Sequence, residues 1–169
     1  MKYEVIDNFL AQEDFNRLVD MLHQQVPFYF QKEINTEHKN DNQFYMTHML
    51  FNIEHDPMYS TFYKDYKIIL DKLKIKSLMR MKINLYPKTE KVETHKPHWD
   101  YNYEHKGCIL SFNTCNGATI LEDGTKIDSI ANRALLFDPS KLHSSTSCTD
   151  DKVRLNININ YFWGEWWMK

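Results

Sequence analysis

The chain has no long apolar run, little glycine or proline, few cysteines and no strong charge of either sign. Each shortage excludes a class of protein. No stretch approaches the roughly 18 consecutive apolar residues of a membrane-spanning helix. The opening MKYEVIDNFL has neither a long apolar core nor a small-residue cleavage site, so no secretory signal is expected. Four Gly and five Pro in 169 residues leave no material for a flexible linker. Cys108, Cys115 and Cys148 are odd in number and lack CxxC spacing, which argues against a secreted disulfide framework and a closed structural zinc site. The expected location is therefore soluble and cytoplasmic. A formal charge of −2 and a pI near 6.4 give no basic footprint for nucleic acid or an anionic membrane.

Ten Tyr, ten Phe and four Trp supply large groups for burial and exclude a disordered chain. The length suits one core, so 1–169 is read as a single domain. Within it, 1–76 forms supporting strands and helices, 77–163 a barrel core, and 164–169 an aromatic tail. YEVIDNFL alternates like a short strand. Over 12–25, Phe15, Leu18, Val19 and Leu22 recur at helical spacing, with Pro27 just beyond. Residues 31–42 are polar without periodicity and predict an exposed loop, a candidate lid. Residues 43–53 read as a strand. Pro57 marks the first turn of a second helix reaching Leu73, with an apolar stripe of Phe62, Tyr66, Ile69 and Leu73.

From Ser77 onward, strand-like runs recur: SLMRMKINLY, GCILSFNT, ATILEDGTKID, RALLFD and VRLNININYFW. Asn116-Gly117 and Asp123-Gly124 are turn signals between them. Helices followed by many short strands predict an α+β, mainly β, fold: a sandwich or jelly roll with helices on one outer face. In RLNININ, alternation puts Arg154, Asn156, Asn158 and Asn160 on one face and Leu155, Ile157 and Ile159 on the other. The polar face either meets water or lines a polar cavity, while the apolar face packs under the helices.

His98 and Asp100, in HKPHWDY, share one side of an extended strand and can reach one ion. Alone the motif is weak, because eight His and 23 acids make roughly one such match expected by chance. His143, where the strand RALLFD has ended, supplies a second imidazole. Two imidazoles and a carboxylate form the facial set of non-haem iron(II) sites, with three adjacent positions open. Arg154 then suits a dicarboxylic cosubstrate that chelates the metal at one end. Guanidinium matches carboxylate with two parallel bonds and stays charged when buried. Taken alone, Arg154 reads sooner as a surface or structural ion pair, and the three metal-binding residues turn the reading toward the cosubstrate. The remaining histidines (His23, His38, His48, His55, His95 and His105) are assigned to surface or core, and Met79 and Met81 to core.

From Arg80 to Phe162 the sequence resembles the prolyl 4-hydroxylase-like branch of the iron(II)/2-oxoglutarate oxygenases, through RMKINLYP, HWD, NGATILEDG, NRALLFD, His143 and the RLN at Arg154. The resemblance implies a double-stranded β-helix, a cupin-like jelly-roll barrel with the metal near one open end. It implies Fe(II) at His98, Asp100 and His143, with 2-oxoglutarate and dioxygen as cosubstrates. Tyr86 and Asn156 would contact 2-oxoglutarate beside Arg154, and Trp99 would shape the pocket rim. The implied reaction is hydroxylation of an unactivated C–H bond, first on a prolyl residue of a protein or peptide, second on a free amino acid or small metabolite. Ser111 stands where some relatives place a cosubstrate-binding tyrosine, so another group must serve that end. Alkylation-repair relatives carry a second arginine at the position of Asn160, which argues against a nucleic-acid substrate. Halogenases lack the carboxylate ligand that Asp100 supplies. The reading from another class is a cupin-like module that binds metal without catalysis. The tail FWGEWWMK is expected to pack over the outside of the barrel.

Overall fold

A computed structural model describes residues 2–32, 44–54 and 60–163. Its elements in chain order are β1 (Glu4–Ile6), α1 (Gln12–Gln24), β2 (Tyr29–Gln31), β3 (Tyr45–Asn52), α2 (Tyr63–Leu73), β4 (Ile75–Pro87), β5 (Lys106–Ser111), β6 (Ala118–Leu121), β7 (Lys126–Asp128), β8 (Ala134–Phe137), β9 (His143–Ser145) and β10 (Val153–Trp163). Two antiparallel sheets result. The larger runs β1-β8-β5-β10-β4-β3-β2 and the smaller β7-β6-β9, a jelly-roll arrangement.

β10 lies at the centre of the large sheet between β5 and β4, and its alternation organises both sides. Leu155, Ile157 and Ile159 join Met81 and Ile83 of β4 and Cys108 and Leu110 of β5 in one apolar core, which also holds Phe15, Leu18 and Leu22 of α1 and Tyr66, Ile69 and Leu70 of α2. Tyr66 Oη donates to the Leu18 carbonyl at 3.2 Å, tying the helices together. The rings of Phe15 and Tyr66 both lie against Phe112, just past β5. A second, smaller cluster of Ile109, Leu121, Leu135 and Phe137 joins the opposite face of the large sheet to the small sheet.

The polar face of β10 is not in water. Arg154, Asn156, Asn158 and Asn160 are 1%, 3%, 7% and 0% exposed. Burying four such side chains is unfavourable unless they are hydrogen-bonded or serve a ligand. That face therefore marks the site.

Some local details depart from the sequence reading. α2 starts at Tyr63, where the Ser60 hydroxyl and carbonyl accept from the Phe62 and Tyr63 backbone N–H groups. Pro57 lies outside the described residues. α2 ends at Lys74, whose left-handed backbone (φ 51°) sends its N–H back to Asp71 O. β2 and β9, three residues each, add short strands where none was expected. Asp123-Gly124 joins β6 to β7 with Gly124 at φ 83°, whereas Asn116-Gly117 leads into β6 without making a hairpin. The candidate lid, from residue 33 on, and the tail from residue 164 lie outside the described residues.

Candidate metal and cosubstrate site

His98, Asp100 and His143 converge, one ligand atom from each lying within 4.8 Å of the others. The backbone sets this up. His98 and His143 exchange backbone hydrogen bonds at 2.9 Å in both directions, and Asp100 N–H donates to Pro139 O at 2.9 Å. The segment bearing His98 and Asp100 is thus laid beside the strand bearing His143. The imidazole centroids sit 4.5 Å apart. His143 Nδ1 donates to Lys141 O at 3.0 Å, which leaves the Nε2 lone pair free for a metal. His98 Nδ1 faces Lys96 O at a longer 3.5 Å. Burial and the neighbouring His143 push the His98 imidazole down to about 4, so it is neutral and ready to ligate near neutral pH.

Asp100 is held from two sides. Arg80 of β4 reaches Oδ1 at 2.6 Å, and Asn158 and Asn160 of β10 donate to Oδ2 at 3.1 and 2.8 Å. Burial alone would raise its pKa, but the Arg80 guanidinium, with the Asn160 hydrogen bond adding to it, outweighs burial and keeps the carboxylate ionised. Behind it stands His105, fully buried. Its Nδ1 donates to Tyr103 O at 2.8 Å, so Nε2 is left to accept from Asn160 Nδ2 at 3.1 Å. The sequence reading assigned His105 to surface or core, and the structure places it in the core behind Asp100, through Asn160.

Arg154 lies farther along the same face. Nη1 donates to Thr146 O at 3.2 Å and Nη2 to the Thr119 hydroxyl of β6 at 3.0 Å. Nε has no partner. The guanidinium carbon is 5.6 Å from the Tyr86 ring centroid. No carboxylate among the described residues pairs with Arg154, so it is a buried cation supported only by neutral groups. Burial lowers its pKa, which Tyr86, Cys115 and Cys148 oppose. An uncompensated buried charge is expensive, and an anionic ligand would compensate it. Two imidazoles, a carboxylate and this unpaired guanidinium together fit a chelating diacid on a divalent metal.

Tyr86 lies between Tyr45, which stacks on it, and His95, which is tilted to it, with centroids 5.6 and 5.1 Å away. Asn156 Oδ1 accepts from Asn84 Nδ2 at 3.0 Å. Ser111 is the cross-strand partner of Asn156 and so faces the same side. Trp99 is 48% exposed beside the ligands. Cys115, Cys148 and Asp150 form a second grouping within 4.8 Å. Burial, with Cys115 adding to it, pushes the Cys148 thiol up to about 11, so it is not a ready thiolate ligand.

Gly117 is dictated by Arg154. A Cβ there would meet Arg154 Cδ and Ser147 O, both at 2.7 Å. Gly117→Ala should displace the arginine, lowering stability by about 1–3 kcal/mol, as overpacking does, and weakening any diacid bound there. Thermal denaturation beside a 2-oxoglutarate titration checks this.

Arg80 and Lys82 were not singled out from the sequence, although RMKINLY alternates as RLNININ does. Arg80, Lys82, Asn84 and Tyr86 face Asn160, Asn158, Asn156 and Arg154 across the β4–β10 ladder. Lys82 Nζ donates to Tyr45 Oη at 3.3 Å. Burial first, then Arg80, pushes its ammonium down to about 8. It also lines a cavity of about 590 Å³ together with Tyr29, Gln31, Tyr45, Thr47 and Met49.

No family model and no curated protein sequence matches the chain. Solved structures do. A prolyl-4-hydroxylase from Pseudomonas putida aligns over 96% of this chain and 93% of its own, with a TM-score of 0.62 at 12% identity. A prolyl hydroxylase from Trichoplax adhaerens, solved with a hypoxia inducible factor oxygen degradation domain peptide, aligns over 95% and 83%, with 0.64 at 17%. A 2OG-Fe(II) oxygenase family oxidoreductase from Burkholderia pseudomallei aligns over 95% and 85%, with 0.71 at 10%. At such identities the likeness is one of fold: the chain has the jelly roll of the 2OG-Fe(II) oxygenases over nearly its whole length. Among the described residues, no helix is long and apolar enough to cross a membrane.

Proposed function

We propose that the protein is an Fe(II)- and 2-oxoglutarate-dependent dioxygenase that hydroxylates an unactivated C–H bond. The observation that carries this is Arg154, a buried guanidinium without an anionic partner among the described residues, on the same sheet face that holds Asp100. In this reading the barrel is a double-stranded β-helix and the two helices buttress its outer face. His98, Asp100 and His143 hold the metal. Arg154 binds the far carboxylate of 2-oxoglutarate, with Tyr86 packed on its guanidinium and Asn156 beside it. When bound, the metal and cosubstrate supply oxidative decarboxylation to succinate and carbon dioxide, coupled to insertion of one oxygen atom into the substrate.

The protein's own residues orient and exclude. The hydrogen bonds of Asn158, Asn160 and Arg80 fix the Asp100 carboxylate, and His143 Nδ1 is committed to a carbonyl, so these two ligand groups are preorganised. Trp99 closes the rim. By fold likeness the first substrate class is a prolyl residue in a protein or peptide, and the second a free amino acid or small metabolite. Anaerobic titration tests the reading. The wild-type protein should bind one iron(II) and then one 2-oxoglutarate, and His98→Ala should lose the metal. Iron bound undiminished in His98→Ala would remove the triad from the account.

A further inference from the structure

Beyond the metal and Arg154, one charged side chain of the site face has no assigned work. Lys82 sits on β4 opposite Asn158, whose amide holds Asp100. It lies on the metal side of the face. Arg154 is paired with Tyr86, four residues farther along β4, or roughly 13 Å of strand. No carboxylate among the described residues forms an ion pair with Lys82. Its ammonium has Tyr45 Oη at 3.3 Å and lies 5.3 Å from the Tyr45 ring centroid. The neighbouring cation is already matched, since Arg80 is bonded to Asp100. Lys82 also forms part of the wall of the cavity of about 590 Å³, where no acidic side chain is found among the described lining residues. Gln31 and Thr47 add hydrogen-bonding groups, and Tyr29 and Tyr45 add aromatic surface. A cavity of this size suits a small or side-chain-sized ligand.

Resting on the oxygenase reading above, we propose that this cavity holds the molecule to be oxidised and that Lys82 binds a carboxylate on it, leaving Arg154 for 2-oxoglutarate. A lone ammonium is a compact point charge, suited to one carboxylate. A dianionic phosphate would call for further donors, and Arg80 is engaged. The substrate class is therefore a carboxylate-bearing molecule, presenting either the free α-carboxylate of an amino acid or an acidic group of a peptide. The aromatic walls take its aliphatic part, and Lys82 fixes its carboxylate.

The test uses the full chain loaded anaerobically with iron(II) and 2-oxoglutarate. Its probes are the free L-amino acids, their C-terminal amides, and short proline-containing peptides with and without Asp or Glu. Binding is read as a thermal shift and by ligand-observed NMR. At least one carboxylate probe should bind wild type, weaken tenfold or more in Lys82→Met and recover in part in Lys82→Arg. The matching amide should bind wild type and Lys82→Met equally weakly. Free amino acids as the binders identify an α-carboxylate, and acidic peptides alone identify a side-chain carboxylate. Carboxylate binding unchanged in Lys82→Met, or no carboxylate probe bound at all, overturns the proposal. So does a loss of 2-oxoglutarate affinity in Lys82→Met, which would put the lysine in the cosubstrate site. Failure of wild type to bind iron or 2-oxoglutarate sinks the parent reading instead, and the same panel on metal-free protein then decides Lys82 on its own.

Discussion

An Arg154→Met protein should keep its metal and lose affinity for 2-oxoglutarate by about 2–5 kcal/mol, or roughly 30- to 5,000-fold. Methionine keeps an unbranched apolar stem beneath Tyr86 and removes the guanidinium. The wild-type guanidinium has two neutral hydrogen bonds and an unpartnered Nε, so in the ligand-free protein its removal sheds a desolvated charge. The lost bonds to Thr119 and Thr146 offset that gain, and the ligand-free melting temperature should move little. The difference appears on adding metal and 2-oxoglutarate. Wild type is stabilised in proportion to the logarithm of ligand concentration over Kd, whereas the variant is not. Melting curves with and without cosubstrate, beside a direct metal assay, separate this from a structural ion pair. A structural arginine would lower the ligand-free stability and leave cosubstrate affinity alone.

The second large effect concerns Arg80. Arg80→Met leaves Asp100, whose side chain is 5% exposed, without its cation. Breaking such a buried pair destabilises by about 3–5 kcal/mol, reduced here because Asn158 and Asn160 still donate to Oδ2. In the metal-free protein Arg80 supplies the positive charge that a divalent ion brings to the same carboxylate. Saturating metal should therefore restore much of the lost stability, and the metal-induced rise in melting temperature should be larger in Arg80→Met than in wild type. An equal deficit with and without metal would show that Arg80 serves packing alone.

The four residues proposed for the site stand in an order visible in the sequence: His98 and Asp100 with one residue between them, then His143, then Arg154 on an alternating strand; the structure brings the first three together. Their neighbours were harder to read. Arg80, Lys82, Asn158 and Asn160 occupy alternate positions that are visible in the sequence, but alternation cannot say which face is buried. The small sheet, packed through Ile109, Leu121, Leu135 and Phe137, and the segment carrying Asp100 and His105 cover the polar face. His105 is separated from Asn160 by a long stretch of sequence, and its role arises from the β5–β10 pairing. The short strands β2 and β9 have too few residues for periodicity. They exist because β3 and β6 offer them edges. The core face of β10 and the amphipathic face of α1 were readable because burial there follows simple apolar spacing.

The most direct test of the central claim is succinate formation. Purified protein is incubated in air with iron(II), 2-oxoglutarate and the amino-acid and peptide panel, and succinate is quantified with iron or oxygen omitted in turn. The account predicts succinate only when iron, oxygen and 2-oxoglutarate are all present, and none from His143→Ala. Protein that binds iron through His98, Asp100 and His143 yet leaves 2-oxoglutarate unconverted across the whole panel would contradict it, and would identify a metal-binding module on an oxygenase fold.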